Sequence, residues 1–287
     1  MTILITGATG HLGSKVVNEL LKTVPASELA VSVRNPEKAE HLREQGIDVR
    51  YGDFDKPETL EAAFANVDRL LIISADGDNE TRIRQHNDAI AAAARANVGF
   101  IAYTSVGNAA NSQLFLAPVH KATEEAILAT GIPYSFLRNN WYLENELSSI
   151  QASAAGAPWV TSAGSGKVGW ATRDDYAAAA ASVLTGEGHD NTIYELSGPL
   201  LTQDELAAAA GEALGKEIPV QHVDDATYAE IMKGAGLPDF LIPMLVSIQH
   251  DIRAGELAVE PSDFETLIGR PLTPTVEAIR QLLSEQA

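Results

Sequence analysis

The chain has 287 residues, 45% of them hydrophobic, enough to bury a sizeable core in one large domain or two smaller ones. Its 39 acidic residues outnumber 20 basic ones, giving a net charge of −19, and a polyanionic surface repels DNA and anionic lipid, so neither nucleic acid nor a membrane is an expected partner. Cysteine is absent, which excludes disulfides, thiolate metal sites and a cysteine nucleophile and suits a reducing cytoplasm; no secretory leader or bilayer-spanning run is expected.

Strand and helix signals alternate through the first half. Ile3–Thr6 is an apolar run, and Leu12, Val16, Val17, Leu20 and Leu21 then share one helical face. Leu29–Val33 is the next strand, Asn35-Pro36 starts a helix, and Ile47–Tyr51 is a third strand. Pro57 to Phe64 predicts a short helix, and Leu70–Ser74 a strand with both faces covered. Asn79–Asn97 follows as a long helix, Phe100–Ser105 as a strand, Val119–Thr130 as a helix closed by Gly131, and Tyr134–Arg138 as a strand. After Trp141 the rhythm loosens. Gly156–Gly169 suggests turns or a short hairpin, Asp174–Leu184 an alanine-rich helix and Thr192–Leu196 a strand. Thr202 to Leu214 opens on good helix-start residues, and the final third is helical, punctuated by prolines.

Strands spaced by helices imply βαβ units. The expected fold is therefore α/β, a Rossmann-type, doubly wound parallel sheet. Residues 1–150 would form the dinucleotide-binding domain and 151–287 a smaller substrate-binding region, with parts near 171–198 packing back onto the sheet. A cleft would separate the two.

The first strand runs into Gly7-Ala8-Thr9-Gly10-His11-Leu12-Gly13 and then into an amphipathic helix. This GxxGxxG arrangement is what a dinucleotide needs: tight turn, close approach of the pyrophosphate, and unpaired N–H groups at a helix start. The alternative is a glycine-rich turn without ligand, and the following βαβ units favour the nucleotide. At the end of the second strand an NAD site usually carries a carboxylate for the ribose 2′-OH. Here Arg34 stands in that place, with Lys38 one helical turn on, which favours the 2′-phosphate of NADP(H) and leaves NAD(H) as the alternative. Gly164-Ser165-Gly166-Lys167 is no phosphate loop: Thr161 replaces its first glycine and Val168 its Ser/Thr.

With "TGATGHLG", "VRNPEKA", "GDFDKPETL", "FIAYTS", "GIPYSFLRNNWYLEN" and "ATRDDYAAAAA", the chain resembles the atypical short-chain dehydrogenase/reductases of the NmrA-like branch over nearly its whole length. Within it, "LRNNWYLEN" is most similar to the type-two NAD(P)H:quinone oxidoreductases, with the triphenylmethane dye reductases close behind. The resemblance implies that Asp53 and Phe54 border the adenine, Ser74 lies near the ribose, Tyr103 and Thr104 line the cofactor groove, and Asn139 and Asn140 lie near the nicotinamide. Singly, Asp53 could cap a turn and Tyr103 could be core. As a set they fall at successive strand ends, where such sheets bind ligands.

Typical members of the superfamily use Tyr-x-x-x-Lys, and none of the seven tyrosines has a lysine four residues on. Ser105 can occupy the usual serine position without its tyrosine. Ordinary alcohol–ketone chemistry is therefore in doubt. A quinone does not need that tyrosine, because it accepts hydride readily and water can protonate its reduced form, leaving catalysis to proximity in a dry cleft. Phe115, Trp141 and Tyr142 are candidate aromatic contacts for a flat substrate, with Asn145 as a polar one; the two residues of the Trp141-Tyr142 pair could equally be core or an interdomain seam. Lys121 and Tyr103 are the candidate catalytic residues. "HKATEEAI" resembles the lysine-bearing helix of the benzylic ether reductases, against the simpler reading of Lys121 as a surface lysine paired with Glu125. His120 reads as a helix-end residue, and no His or Asp cluster has metal-ligand spacing, so no metal is expected. The expected protein is a cytoplasmic NADP(H)-dependent reductase of quinone-like small molecules, without flavin or metal and with homodimerisation open. The rival is a sensor that binds NADP without turnover and acts through a protein partner.

Overall fold

The apolar runs of the first half become strands, buried in the middle of the sheet because a parallel sheet is covered on both faces, while the edge strand Asp48–Tyr51 stays partly exposed. The computed structural model describes residues 1–261 and 263–285. In chain order the first half comprises β1 (Ile3–Thr6), α1 (His11–Leu20), β2 (Leu29–Val33), α2 (Glu40–Glu44), β3 (Asp48–Tyr51), α3 (Leu60–Ala63), β4 (Arg69–Ile72), α4 (Asn79–Arg95), β5 (Ile101–Val106), α5 (Ala117–Thr130) and β6 (Tyr134–Asn139). The second half comprises β7 (Trp141–Tyr142), α6 (Leu147–Ala154), β8 (Trp159–Thr161), β9 (Lys167–Ala171), α7 (Arg173–Thr185), β10 (Thr192–Leu196), β11 (Leu200–Thr202), α8 (Gln203–Leu214), β12 (Val220–His222), α9 (Asp225–Gly234), α10 (Ile242–Ala254), α11 (Phe264–Ile268) and α12 (Thr275–Ser284).

Seven strands form one sheet in the order β10-β6-β5-β4-β1-β2-β3, with every pair parallel. The order reverses between β1 and β4, and the crevice above such a reversal is where doubly wound sheets bind ligands. The chain returns to this sheet late. β10 pairs with β6, and α7 packs on α1, its alanines giving a smooth surface for close approach. Helices α1, α7 and α11 cover one face; α3, α4 and α5 cover the other.

A second apolar cluster joins Leu143, Ile150, Trp159, Trp170 and Leu206 to Ile252 and Ile279, from segments far apart in sequence. Two small sheets lie beside it, β11-β9-β7 and β12-β8. The stretch Gly156–Gly169 is therefore not a hairpin: β8 pairs with β12, and β9 with β7 and β11. Its glycines serve a crowded crossing instead. A Cβ on Gly166 would lie 2.1 Å from Ile252 O. Pro57 to Phe64 is also tighter than a single helix, with a 3-10 turn at Pro57–Thr59 before α3.

Candidate active site

The first βα turn is shaped by its glycines. Gly7 has φ +62°, a left-handed conformation, and accepts a hydrogen bond from Gly10 N at 2.9 Å. A Cβ on Gly13 would lie 2.2 Å from Gly7 O, so only glycine lets α1 start this close to the turn. No side chain caps α1, and its first turn holds no acidic residue. The free N–H groups and the positive end of the helix dipole thus face the cleft without a competing carboxylate.

A cleft of about 740 Å³ runs from this turn across the C-terminal strand ends. Gly7, Thr9, Gly10, His11, Leu12 and Gly13 border it at β1, and Arg34 at the end of β2. Asp53 and Phe54 follow at β3, Ser74 at β4, Thr104 at β5, and Asn139 and Asn140 at β6. Phe115, Trp141, Tyr142 and Asn145 line it too. Seventeen residues named from sequence thus border one cleft, while Ala8, Lys38, Tyr103 and Lys121 do not. Ala8 is buried under the turn, and Lys38 is exposed beyond Arg34.

The two expected catalytic residues need correction. Lys121 lies on the exposed side of α5, and it forms no ion pair with Glu125. Tyr103 is fully buried, and its hydroxyl is 2.9 Å from His120 Nδ1 rather than in the cleft. His120 in turn is no helix-end residue. It is buried on the inner face of α5 and borders the cleft. Arg82 Nη2 lies 3.5 Å from His120 Nε2 and donates to Ser74 Oγ at 2.8 Å. An arginine can only donate, so the His120 nitrogen facing it is the unprotonated one. Burial, then the Arg82 charge, pushes His120 down to about 3. His86 is held likewise, down to about 4, accepting from Ala75 N and bonding Thr123 Oγ1. Burial pushes the Tyr103 phenol up to about 12.

Ser105 donates to Glu124 Oε1 at 2.6 Å, and Glu124 is paired by both Arg138 Nε and Arg138 Nη2. Arg138 also reaches Glu195 at 2.9 Å. The serine of the superfamily position is thus tied to a buried ion-pair network. His120 and Glu124 occupy one α5 face at i and i+4. Sequence reasoning missed both, because an inward stripe of polar residues gives no hydropathy signal.

At the other end, β7 fixes the aromatic pair by pairing Trp141 with Trp170 and Tyr142 with Ala171. Glu146, pushed up by burial, accepts from the Trp170 indole at 3.2 Å. Tyr142 packs edge-on to Tyr176, carries the Arg173 guanidinium over its ring at 4.9 Å, and accepts from Asn139 Nδ2. The half-buried pair serves both readings, fixed in the small sheet and open to the cleft.

Five buried side-chain atoms along the cleft lack a partner among the described residues: Ser32 Oγ, Arg82 Nε, Gln85 Oε1, Asn139 Oδ1 and Asn140 Oδ1. Buried polar atoms are normally satisfied, so these mark places for ligand donors and acceptors. Together with the open α1 N-terminus and an exposed Arg34 that pairs with no acid among the described residues, the set fits a phosphorylated dinucleotide. No group of three or more His, Asp or Glu among the described residues could hold a metal. None of their helices is long and apolar enough to cross a membrane.

The model of the NmrA-like family matches residues 1–262. Quinone oxidoreductase 2 of Escherichia coli (strain K12) is 42% identical over 283 residues, covering 98% of this chain and 99% of that protein. The Citrobacter sp. triphenylmethane reductase, solved complexed with NADP(H), superposes with a TM-score of 0.94 at 43% identity, covering 98% of this chain and 100% of the other. The NADPH-dependent quinone oxidoreductase from Escherichia coli, solved with NADPH, does so at 0.93 and 42% identity, with the same coverage.

Proposed function

The chain belongs to the NmrA-like family, and from that premise we propose that it is an NADP(H)-dependent reductase passing hydride directly to a quinone or a similar flat acceptor. The observation that carries this reading is the continuity of one cleft, from an uncapped helix start and Arg34 to an aromatic wall. Relatives with that fold hold NADP(H) and reduce quinones or triphenylmethane dyes.

The α1 N–H groups and the Gly7–Gly13 turn would hold the pyrophosphate, and Arg34 the 2′-phosphate. Asp53 and Phe54 would border the adenine, with Ser74 and Thr104 next along the groove. Asn139 Oδ1 and Asn140 Oδ1, each without a donor, would take the carboxamide N–H groups of the nicotinamide. When bound, the dihydronicotinamide supplies a hydride. Asn140 is itself fixed by bonds from its Nδ2 to Ser197 Oγ and Leu257 O, both 3.0 Å, so its free oxygen has one orientation.

Trp141, Tyr142 and Phe115 would stack against the acceptor and exclude water, with Asn145 at the rim. Pairing with Trp170, whose indole Glu146 holds, fixes Trp141, and the Arg173 guanidinium braces Tyr142. Among the described residues no lysine borders the cleft, and the Tyr142 hydroxyl is engaged by Asn139 with its pKa raised by burial, so the proton for the reduced product comes from water. The reaction so written is a two-electron reduction by proximity, and it needs neither flavin nor metal.

The test is stoichiometric. Flavin-free protein mixed with NADPH and a benzoquinone should form one hydroquinone per NADPH consumed. Tight NADPH binding without turnover on several quinones and triphenylmethane dyes would favour the sensor reading.

A further inference from the structure

Arg82 has no counter-ion. It is 7% exposed, and among the described residues no carboxylate pairs with it. Its hydrogen-bond partners are Ser74 Oγ and His120 Nε2, both neutral, and its Nε has no acceptor. Burial pushes its pKa down, and Tyr103, then Asp76, which is too distant for an ion pair, draw it back. A guanidinium nevertheless stays protonated. The titratable groups around it, His86, His120 and Tyr103, are all held uncharged. A buried, uncompensated cation is costly, and a ligand's negative charge is the compensation this wall lacks.

The position favours one end of the ligand path. The α1 N-terminus belongs to one helical layer and Arg82 on α4 to the other, with the sheet between them. The phosphates already have the α1 N-terminus and Arg34. Asn79, three residues before Arg82, donates to Phe115 O at 3.0 Å and ties the start of α4 to the aromatic wall.

We propose that Arg82, flanked by Ser74 and His120, forms an oxyanion site that receives the acceptor oxygen as it turns anionic on hydride transfer. This rests on the reductase reading. The hydride pair forms the new bond to the acceptor, and the displaced electrons of its conjugated carbonyl system come to rest on oxygen. The acceptor is thereby reduced by two electrons and the nicotinamide oxidised. The Arg82 Nε–H donates to that oxygen, and a proton from water then completes the neutral product.

A probe without turnover tests this. 4-Nitrophenol is titrated by its phenolate absorbance on protein loaded with NADP⁺, for the unchanged chain, Arg82→Met and Arg82→Lys. The bound probe should ionise about one pH unit lower than free probe, a roughly tenfold preference for phenolate. Arg82→Met should lose that preference, Arg82→Lys keep part of it, and NADP⁺ affinity change less than about threefold. Arg82→Gln carries the comparison if Arg82→Met does not fold. Weakening of NADP⁺ by about tenfold or more with the phenolate preference intact would assign Arg82 to the cofactor and overturn the proposal. So would an unchanged preference with unchanged NADP⁺ binding. If the chain reduces no quinone yet shows the Arg82-dependent preference, the reductase reading falls and the anion site stands. Quinone reduction without any phenolate preference overturns the oxyanion site alone.

Discussion

The two ends of the cleft are built in different ways. The cofactor end is one continuous stretch, β1, its glycine turn and α1, completed by the tips of neighbouring strands. Its ligand groups are mostly backbone, so the demand on sequence is for glycines at fixed spacing. The proposed acceptor end is assembled from β7, the segment before α5, and α10, which contributes Met244. Its proposed ligand groups are side chains, each held by another residue: Trp141 by the pairing with Trp170, Tyr142 by Asn139 and Arg173, His120 by Tyr103 and Arg82. A backbone site tolerates most side-chain changes and almost no added volume. A side-chain site tolerates volume and depends on its supports.

Gly13→Ala tests the first half of that contrast most severely. Its Cβ would meet the Gly7 carbonyl and Ala8 Cα, which cannot swing away. NADPH affinity should fall by about a hundredfold or more, read by quenching or calorimetry, with a lowered melting temperature. Near-normal binding would show that the turn relaxes freely. Arg34→Glu is next. A charge-assisted bond is worth about 1.5–3 kcal/mol, so NADPH should weaken roughly 10- to 100-fold or more and NADH much less. Equal losses would remove Arg34 from the 2′-phosphate.

The buried histidines of the α4–α5 layer give this side a pH dependence. His86 and His120 have folded values of about 4 and about 3, below the unfolded value near 6.5. Between these limits the unfolded chain binds the extra protons. Stability is therefore fully present above about pH 6.5 and falls as pH drops toward 4, by about 1.4 kcal/mol per unit for each histidine. Denaturant unfolding at pH 7 and 5 should show it, and His86→Gln should flatten the slope. A slope unchanged in that variant would mean that His86 is not buried neutral. The smallest effect belongs to Lys121→Met. With Lys121 outside the cleft, kcat on a good quinone should drop far less than the roughly 10²-fold of a lost general acid. A thousandfold loss would make Lys121 the proton donor.

The same contrast explains what was legible in the sequence. The glycine turn, Arg34 and the strand-end residues are local signals, and parallel strands bring their ends to one edge without further information. Trp141 and Tyr142 were legible as a cleft segment because two adjacent aromatics followed a strand. Arg82, Glu124 and Glu146 were not, since each matters through a partner 14 to 38 positions away, as in Arg82–His120, Glu146–Trp170 or Glu124–Arg138. Lys121 shows the cost of a phase error on a helix. It lies one residue, about 100°, from His120, and that rotation separates solvent from cleft.

Direct hydride transfer across the continuous cleft is tested most directly by single-turnover oxidation of NADPH deuterated at C4. On flavin-free protein with a benzoquinone, deuterium at one of the two C4 positions should slow the reaction, and deuterium at the other should leave it nearly unchanged. Bound NADPH that no quinone or dye oxidises, or oxidation insensitive to either label with chemistry shown to be rate-limiting, would contradict it.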